Sequence, residues 1–279
     1  MNLVWTALAP LLWGTSYLVT TEYLPPHRPL FSAVVRMLPA GLLFVAAGRW
    51  VPDGRWLLKL VVLGLLNFGV FFVLLFWAAY RVAGGVGATI GGIGPLLFAA
   101  LAWPLLGQKP RRLTLAAGFV GCLGVALLVW GPGAQVDPAG ALAVVVAVFC
   151  MALGGVLAKR WGRPASLWGY VGWQMLTASV VVGAVCLPWE GIPTLTWTNV
   201  WAFGYLGFLG TGLAYALWFR GIEKVGVSVS FLALLSPLVA AGLGYLVLGQ
   251  GLSLAQTLGA VVILGSLVAG QVGGRPRRG

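Results

Sequence analysis

Five acidic side chains (Glu22, Asp53, Asp137, Glu190, Glu223), one histidine (His27) and three cysteines (Cys122, Cys150, Cys186) are the chain's whole supply for acid–base, nucleophilic or metal chemistry. The acids fall at the ends of apolar runs or between them. Hydrolysis or phosphoryl transfer needs a nucleophile with its base, a carboxylate pair or a metal set, and no such group converges within the runs. The cysteines are odd in number, sit inside apolar runs and match no metal spacing, so they read as small packing residues. His27 reads as solvated. An intramembrane enzyme is therefore the weakest function class, and no catalytic residue, metal or cofactor is expected. A proton-coupled carrier commonly places an ionisable group in its path. Here no Asp, Glu, Lys or His falls at mid-run, so if the chain were a carrier it would be expected to work without proton coupling; Glu22 is the nearest acidic candidate.

What remains for recognition is one cation and several aromatic and amide pairs. Arg36 is the one charged residue well inside an apolar run. It lies about six residues, roughly 9 Å, below the outer end of its helix. At that depth it reads first as snorkelling to the headgroups, and second as a contact for a substrate carboxylate. Trp13 and Tyr17 are one helical turn apart, as are Asn67 and Phe71, and Thr211 and Tyr215, so each pair shares a helix face. Packing explains most such pairs. A mid-membrane amide needs partners, however, and an indole away from the interfaces is less easily dismissed. Together with Gly94, these residues would suit a cavity for a small zwitterion with a variable side chain.

The elements that must hold them are membrane helices. With 8% charged residues, 60% hydrophobic residues and a mean hydropathy of +0.99, the chain has too few charges for a water-soluble surface. Apolar runs predict an all-α integral membrane protein with ten transmembrane helices, near 3–21, 30–48, 57–79, 83–105, 113–131, 138–158, 167–187, 198–219, 227–248 and 254–272. The first run lacks a basic leader and reads as a retained helix. A net charge of +12 would suggest nucleic acid in a soluble protein, but here the basic residues lie in short connections. With the N-terminus in the cytoplasm, all of the 17 Lys and Arg residues except Arg28, Arg36 and Arg81 fall inside, so both termini are expected to be cytoplasmic. Tryptophans fall into two belts, Trp218 among those at the cytoplasmic face, with Trp13 and Trp173 left at depth.

One stretch is written twice. Ile93-Gly94-Pro95-Leu96 runs on to Leu106-Gly107-Gln108, and Leu235-Ser236-Pro237-Leu238 runs on to Leu248-Gly249-Gln250, half a chain later and with the same proline-to-glutamine spacing. Arg36-Met37-Leu38 and Gln174-Met175-Leu176 agree more weakly. Two halves of five helices each insert in opposite directions, so the reading is two inverted five-helix repeats, 1–132 and 137–273, followed by a basic tail, 274–279. Helix 4 is rich in glycine (Gly84, Gly85, Gly87, Gly91, Gly92, Gly94) just before its proline. Gly91, Gly94 and Pro95, with Ser236 and Pro237, are therefore expected to form hinges, each proline removing the helical partner of the carbonyl four residues before it.

The chain resembles the drug/metabolite transporter superfamily in its EamA-type branch. The resemblance rests on Trp13-Gly14, Arg36, the two proline segments and the Gly-rich helices after each Gln. In length and pattern it looks most like the YddG-type amino-acid exporters. Members commonly carry Glu where this chain has Gln108 and Gln250, so no role resting on a carboxylate there carries over. The resemblance implies a bacterial inner-membrane exporter of amino acids, aromatic ones included, working by alternating access in the lipid bilayer; a monomer is compatible with this reading, and the sequence leaves the oligomeric state open. The alternative is efflux of drugs or quaternary cations, which aromatic boxes bind.

Overall fold

The computed structural model describes residues 2–81, 90–129, 137–248 and 253–273, and among these the fold is all-α. In order, the helices are α1 (Asn2–Tyr23), α2 (Pro29–Gly48), α3 (Gly54–Ala79), α4 (Gly94–Leu106), α5 (Arg112–Val129), α6 (Pro138–Trp161), α7 (Leu167–Trp189), α8 (Trp197–Val225), α9 (Leu235–Leu248) and α10 (Leu254–Gly273). Seven helices are long and apolar enough to cross a membrane; the stretches Gly94–Leu106, Arg112–Leu127 and Ser228–Leu243 are apolar but shorter. Helices are the natural answer to this composition, because hydrocarbon offers the backbone no hydrogen-bond partner and a helix satisfies its own.

Short polar side chains set the helix ends. Asp53 accepts from the Trp56 amide at 2.8 Å, Asp137 from the Ala139 amide at 3.1 Å, and Thr196 and Asn199 cap each other's backbone. The carboxylate of Glu190, beyond the end of α7, accepts from the amides of Leu30 and Phe31 at 3.0 and 2.9 Å. It thereby caps α2 from the other half of the chain. Glu223 pairs with Arg163 at 3.2 Å, and Asp137 also pairs with Arg81 at 3.3 Å. Four of the five acids are thus occupied at helix ends; Glu22 is exposed.

The expected unbroken helices over 83–105 and 227–248 are corrected. Gly84, Gly85 and Gly87 lie outside the described residues, as does Gln250. A turn at Gly92 and Ile93 precedes α4, which starts at Gly94 with Pro95 in its first turn. Val227–Leu234 winds as a 3₁₀ helix before α9, which carries Pro237 in its first turn. The reason is the same in both places. Proline has no N–H to donate, and a first-turn residue needs none. The helices break before the prolines and do not kink at them.

Packing follows a repeated plan. α2 lies along α7, and α5 along α10. α6 packs on α3 and α4, while α1 packs on α8 and α9. Glycine permits the closest of these approaches. A Cβ on Gly172 would stand 2.6 Å from the backbone nitrogen of Val45, across the α2–α7 seam. On the same helix, a Cβ on Gly183 would meet nothing nearer than Val34 at 3.9 Å. Gly172→Ala should therefore destabilise the protein by about 1–3 kcal/mol, the usual cost of overpacking, while Gly183→Ala should be neutral. Thermal melting in detergent, followed by size exclusion, checks the pair.

Candidate functional site

A central cavity of about 190 Å³ lies where α1, α2, α3, α4, α6, α8 and the 3₁₀ segment meet. Its wall includes Trp13, Arg36, Phe71, Gly94 and Tyr215, and also Gly91, Ser236 and Pro237. The lining is otherwise largely apolar. Trp13 is the keystone of an aromatic stack, its ring centroid 5.0 Å from both Tyr215 and Trp218. Phe72 continues the stack, 5.2 Å from Phe71 and 6.1 Å from Tyr215.

Arg36 is only 2% exposed, and its guanidinium is turned inward. The snorkelling reading is thereby overturned. Nε donates to Thr211 Oγ1 at 2.6 Å, and Nη2 to Ser16 Oγ at 3.2 Å and to the Gly210 carbonyl at 3.3 Å. The guanidinium carbon stands 4.4 Å over the Phe72 ring. All these partners are neutral. Among the described residues the only ion pairs are Arg81–Asp137 and Arg163–Glu223, so a full charge is buried without a carboxylate. The Trp13 indole N–H is also buried and has no partner among the described residues. This region of the cavity thus holds a buried charge without a counter-charge and a buried N–H without an acceptor among the described residues.

The Gly210 carbonyl reaches Arg36 because α8 widens into a π-helical stretch over Tyr205–Leu213. α3 does the same over Leu65–Gly69, where Asn67 sits. Asn67 does not line the cavity. It is 1% exposed, packs against Gly154, and donates from Nδ2 to Gln174 Oε1 at 3.0 Å. Gln174 in turn donates to the Tyr170 carbonyl at 3.3 Å. The two arrangements match. Arg36 on α2 reaches the π turn of α8, and Gln174 on α7 reaches the π turn of α3.

Of the other residues expected at a site, Thr211 stands behind the wall as the hydroxyl that holds Arg36, and Pro95 lines a second cavity. The side chain of Tyr17 lies outside the described residues. Ser16, Phe72 and Trp218 belong to the central region without having been singled out. Trp218, read as a belt residue, is 1% exposed and stacked on Trp13. Its spacing of three from Tyr215 was the available signal, since residues so placed share a helix face. Trp173 donates its indole N–H to the Trp50 carbonyl at 2.8 Å, which accounts for an indole at depth as structure.

A sequence model described as the EamA-like transporter family matches residues 1–130 and again residues 138–269. Protein PecM of Dickeya dadantii (strain 3937) is 45% identical over 264 residues, spanning 93% of this chain and 89% of that protein. The uncharacterized inner membrane transporter YedA of Escherichia coli (strain K12) is 29% identical over 269 residues, 92% of this chain and 86% of YedA. A Salmonella typhimurium protein named as a probable amino-acid metabolite efflux pump is 26% identical over 289 residues, 97% and 95% of the two chains. A crystal structure shares the fold with a TM-score of 0.81 over 97% of both chains, at 18% identity. None of these relatives is named as a YddG-type exporter.

The separation of Asn67 from the cavity has a measurable consequence. Asn67→Ala leaves the Gln174 oxygen buried without its donor, at about 1–3 kcal/mol. Adding Gln174→Ala should recover part of that loss. Neither change should alter which substrates are carried. A double-mutant cycle on melting, run beside a transport panel, checks both statements.

Proposed function

Since the chain belongs to the EamA-like transporter family, and is a multi-pass membrane transporter and not an enzyme, we propose that its cargo is amino acids, aromatic ones included. The proposed direction is export across the cell membrane. The observation that carries this reading is the buried, carboxylate-free guanidinium of Arg36 beside the unpartnered Trp13 N–H. An anionic carboxylate at that wall would satisfy both donors, and the Phe71, Phe72, Tyr215 and Trp13 rings would take up an apolar or aromatic side chain. The name of the Salmonella relative supports efflux of amino-acid metabolites. The same guanidinium disfavours efflux of quaternary cations, because a fixed positive charge in the cavity repels them.

The architecture in this proposal is ten spans, the seven long helices and three shorter ones, in inverted repeats over 1–132 and 137–273 with a cytoplasmic tail at 274–279. Both termini are proposed to lie in the cytoplasm. The doubled family match, the matched packing of α1 and α6 and the matched π-turn contacts support it. Alternating access is proposed to turn on Gly91–Pro95 and Ser236–Pro237, the segments that adjoin the two helix breaks. They stand at related points of the two halves, and Gly91, Gly94, Ser236 and Pro237 all border the cavity. Transport is proposed to follow the substrate gradient. The acids sit at helix ends, and Arg36 stays protonated across ordinary pH.

Counterflow of labelled phenylalanine in proteoliposomes tests the reading. Arg36→Gln should lower kcat/KM at least about tenfold, or about 1.4 kcal/mol. Arg36→Lys should keep part of the activity, having the charge without the fork. An imposed pH gradient should leave wild-type accumulation unchanged. Wild-type exchange of quaternary ammonium ions in preference to amino acids, or full activity in folded Arg36→Gln, would overturn it.

A further inference from the structure

Behind the central cavity lies a second one, of about 420 Å³, with three cationic side chains in its wall: Lys109 and Arg111 from the α4–α5 connection and Lys159 from the end of α6. Among the described residues no acidic one lines it. Lys159 donates to the carbonyl of Glu223 at 2.8 Å, while the Glu223 carboxylate is taken by Arg163. Among the described residues none of the three cations has an ion-pair partner. The hydroxyl-bearing residues Thr114 and Ser228 line the same cavity. Membrane orientation asks only that cations lie on one side of the bilayer. It does not ask that they converge from two elements on one concavity lacking acid.

This cavity adjoins the central one. Ser230 of the 3₁₀ segment lines both. Gly94 borders the central cavity and its neighbour Pro95 the second. The two cavities therefore adjoin at Ser230 and at Gly94–Pro95, in the two segments next to the helix breaks.

We propose that the second cavity is an anion-binding antechamber, which takes the carboxylate of the cargo from water before it passes to Arg36. The proposal rests on the reading that the cargo bears a carboxylate. A concave wall of one charge sign concentrates the opposite ion by roughly 10-fold or more, so the three cations raise the local concentration of anions at the mouth of the path.

The test uses pyridoxal 5′-phosphate, an anionic aldehyde that condenses with lysine amines and is fixed by borohydride reduction. The lysines are Lys59, Lys109, Lys159 and Lys224, two in the antechamber wall and two outside it. In the full chain, held in nanodiscs of phosphatidylcholine, limiting reagent should modify Lys109 and Lys159 roughly tenfold faster than Lys59 and Lys224. Excess inorganic phosphate should abolish the difference, and Arg111→Gln should reduce it. Arg36→Gln should leave the labelling unchanged, so failure of the central-site reading and failure of the antechamber are told apart. Equal modification of all four lysines, or preferential modification that phosphate does not protect, would overturn the proposal. So would protection by added phosphatidylglycerol but not by phosphate, which would mark a lipid headgroup site and not a route for soluble cargo.

Discussion

Burying a guanidinium in the interior of a membrane protein costs several kcal/mol unless its charge is met. Arg36 is buried, and every group it bonds is neutral: the Thr211 and Ser16 hydroxyls, the Gly210 carbonyl and the Phe72 ring. Those partners satisfy its donors and leave its charge uncompensated. The surroundings are arranged to supply them. The π turn in α8 presents the Gly210 carbonyl, and α1 brings Ser16 and Trp13 to the same wall. The acids that could have neutralised Arg36 are held at helix ends, as caps or as surface pairs.

The other half of the chain repeats this arrangement without the charge. Gln174 meets the π turn of α3 through Asn67, with Gly154 packed against it. Where a neutral amide stands, the contact is closed and self-sufficient. Where arginine stands, it opens onto an aromatic cavity and lacks an anion. The two contacts differ in that one is closed by an amide pair and the other borders an aromatic cavity. The cavity is accordingly lined by Arg36 and not by Asn67.

Much of the fold was legible because hydropathy and loop charge are additive along a chain. The helices lie within a few residues of the apolar runs, except where proline ended a helix that hydropathy carried through. A proline at mid-run reads as a bend within one helix, whereas here each proline sits in the first turn of a new one. A span too apolar to show a boundary hides the difference between a kink and a fresh start. The π turns at Leu65–Gly69 and Tyr205–Leu213 left no mark in composition. They arise from packing between helices. Arg36 was read as reaching for headgroups because depth alone allowed it. Its direction depends on the rotation of α2, which close contacts such as Gly172 against Val45 help set. Trp218 lies near the cytoplasmic end of its run and so reads as a belt residue, although its spacing from Tyr215 points to the shared face that the structure buries.

The central claim is that the cavity recognises an anion through Arg36, and the most direct measurement removes the anion from the ligand and not the cation from the protein. Equilibrium binding of phenylalanine and of phenylalaninamide to the purified chain in nanodiscs compares two ligands that differ in the carboxylate and share the aromatic ring. The account predicts that the amide binds at least about tenfold more weakly, a difference of about 1.4 kcal/mol. Equal binding of the two would contradict it.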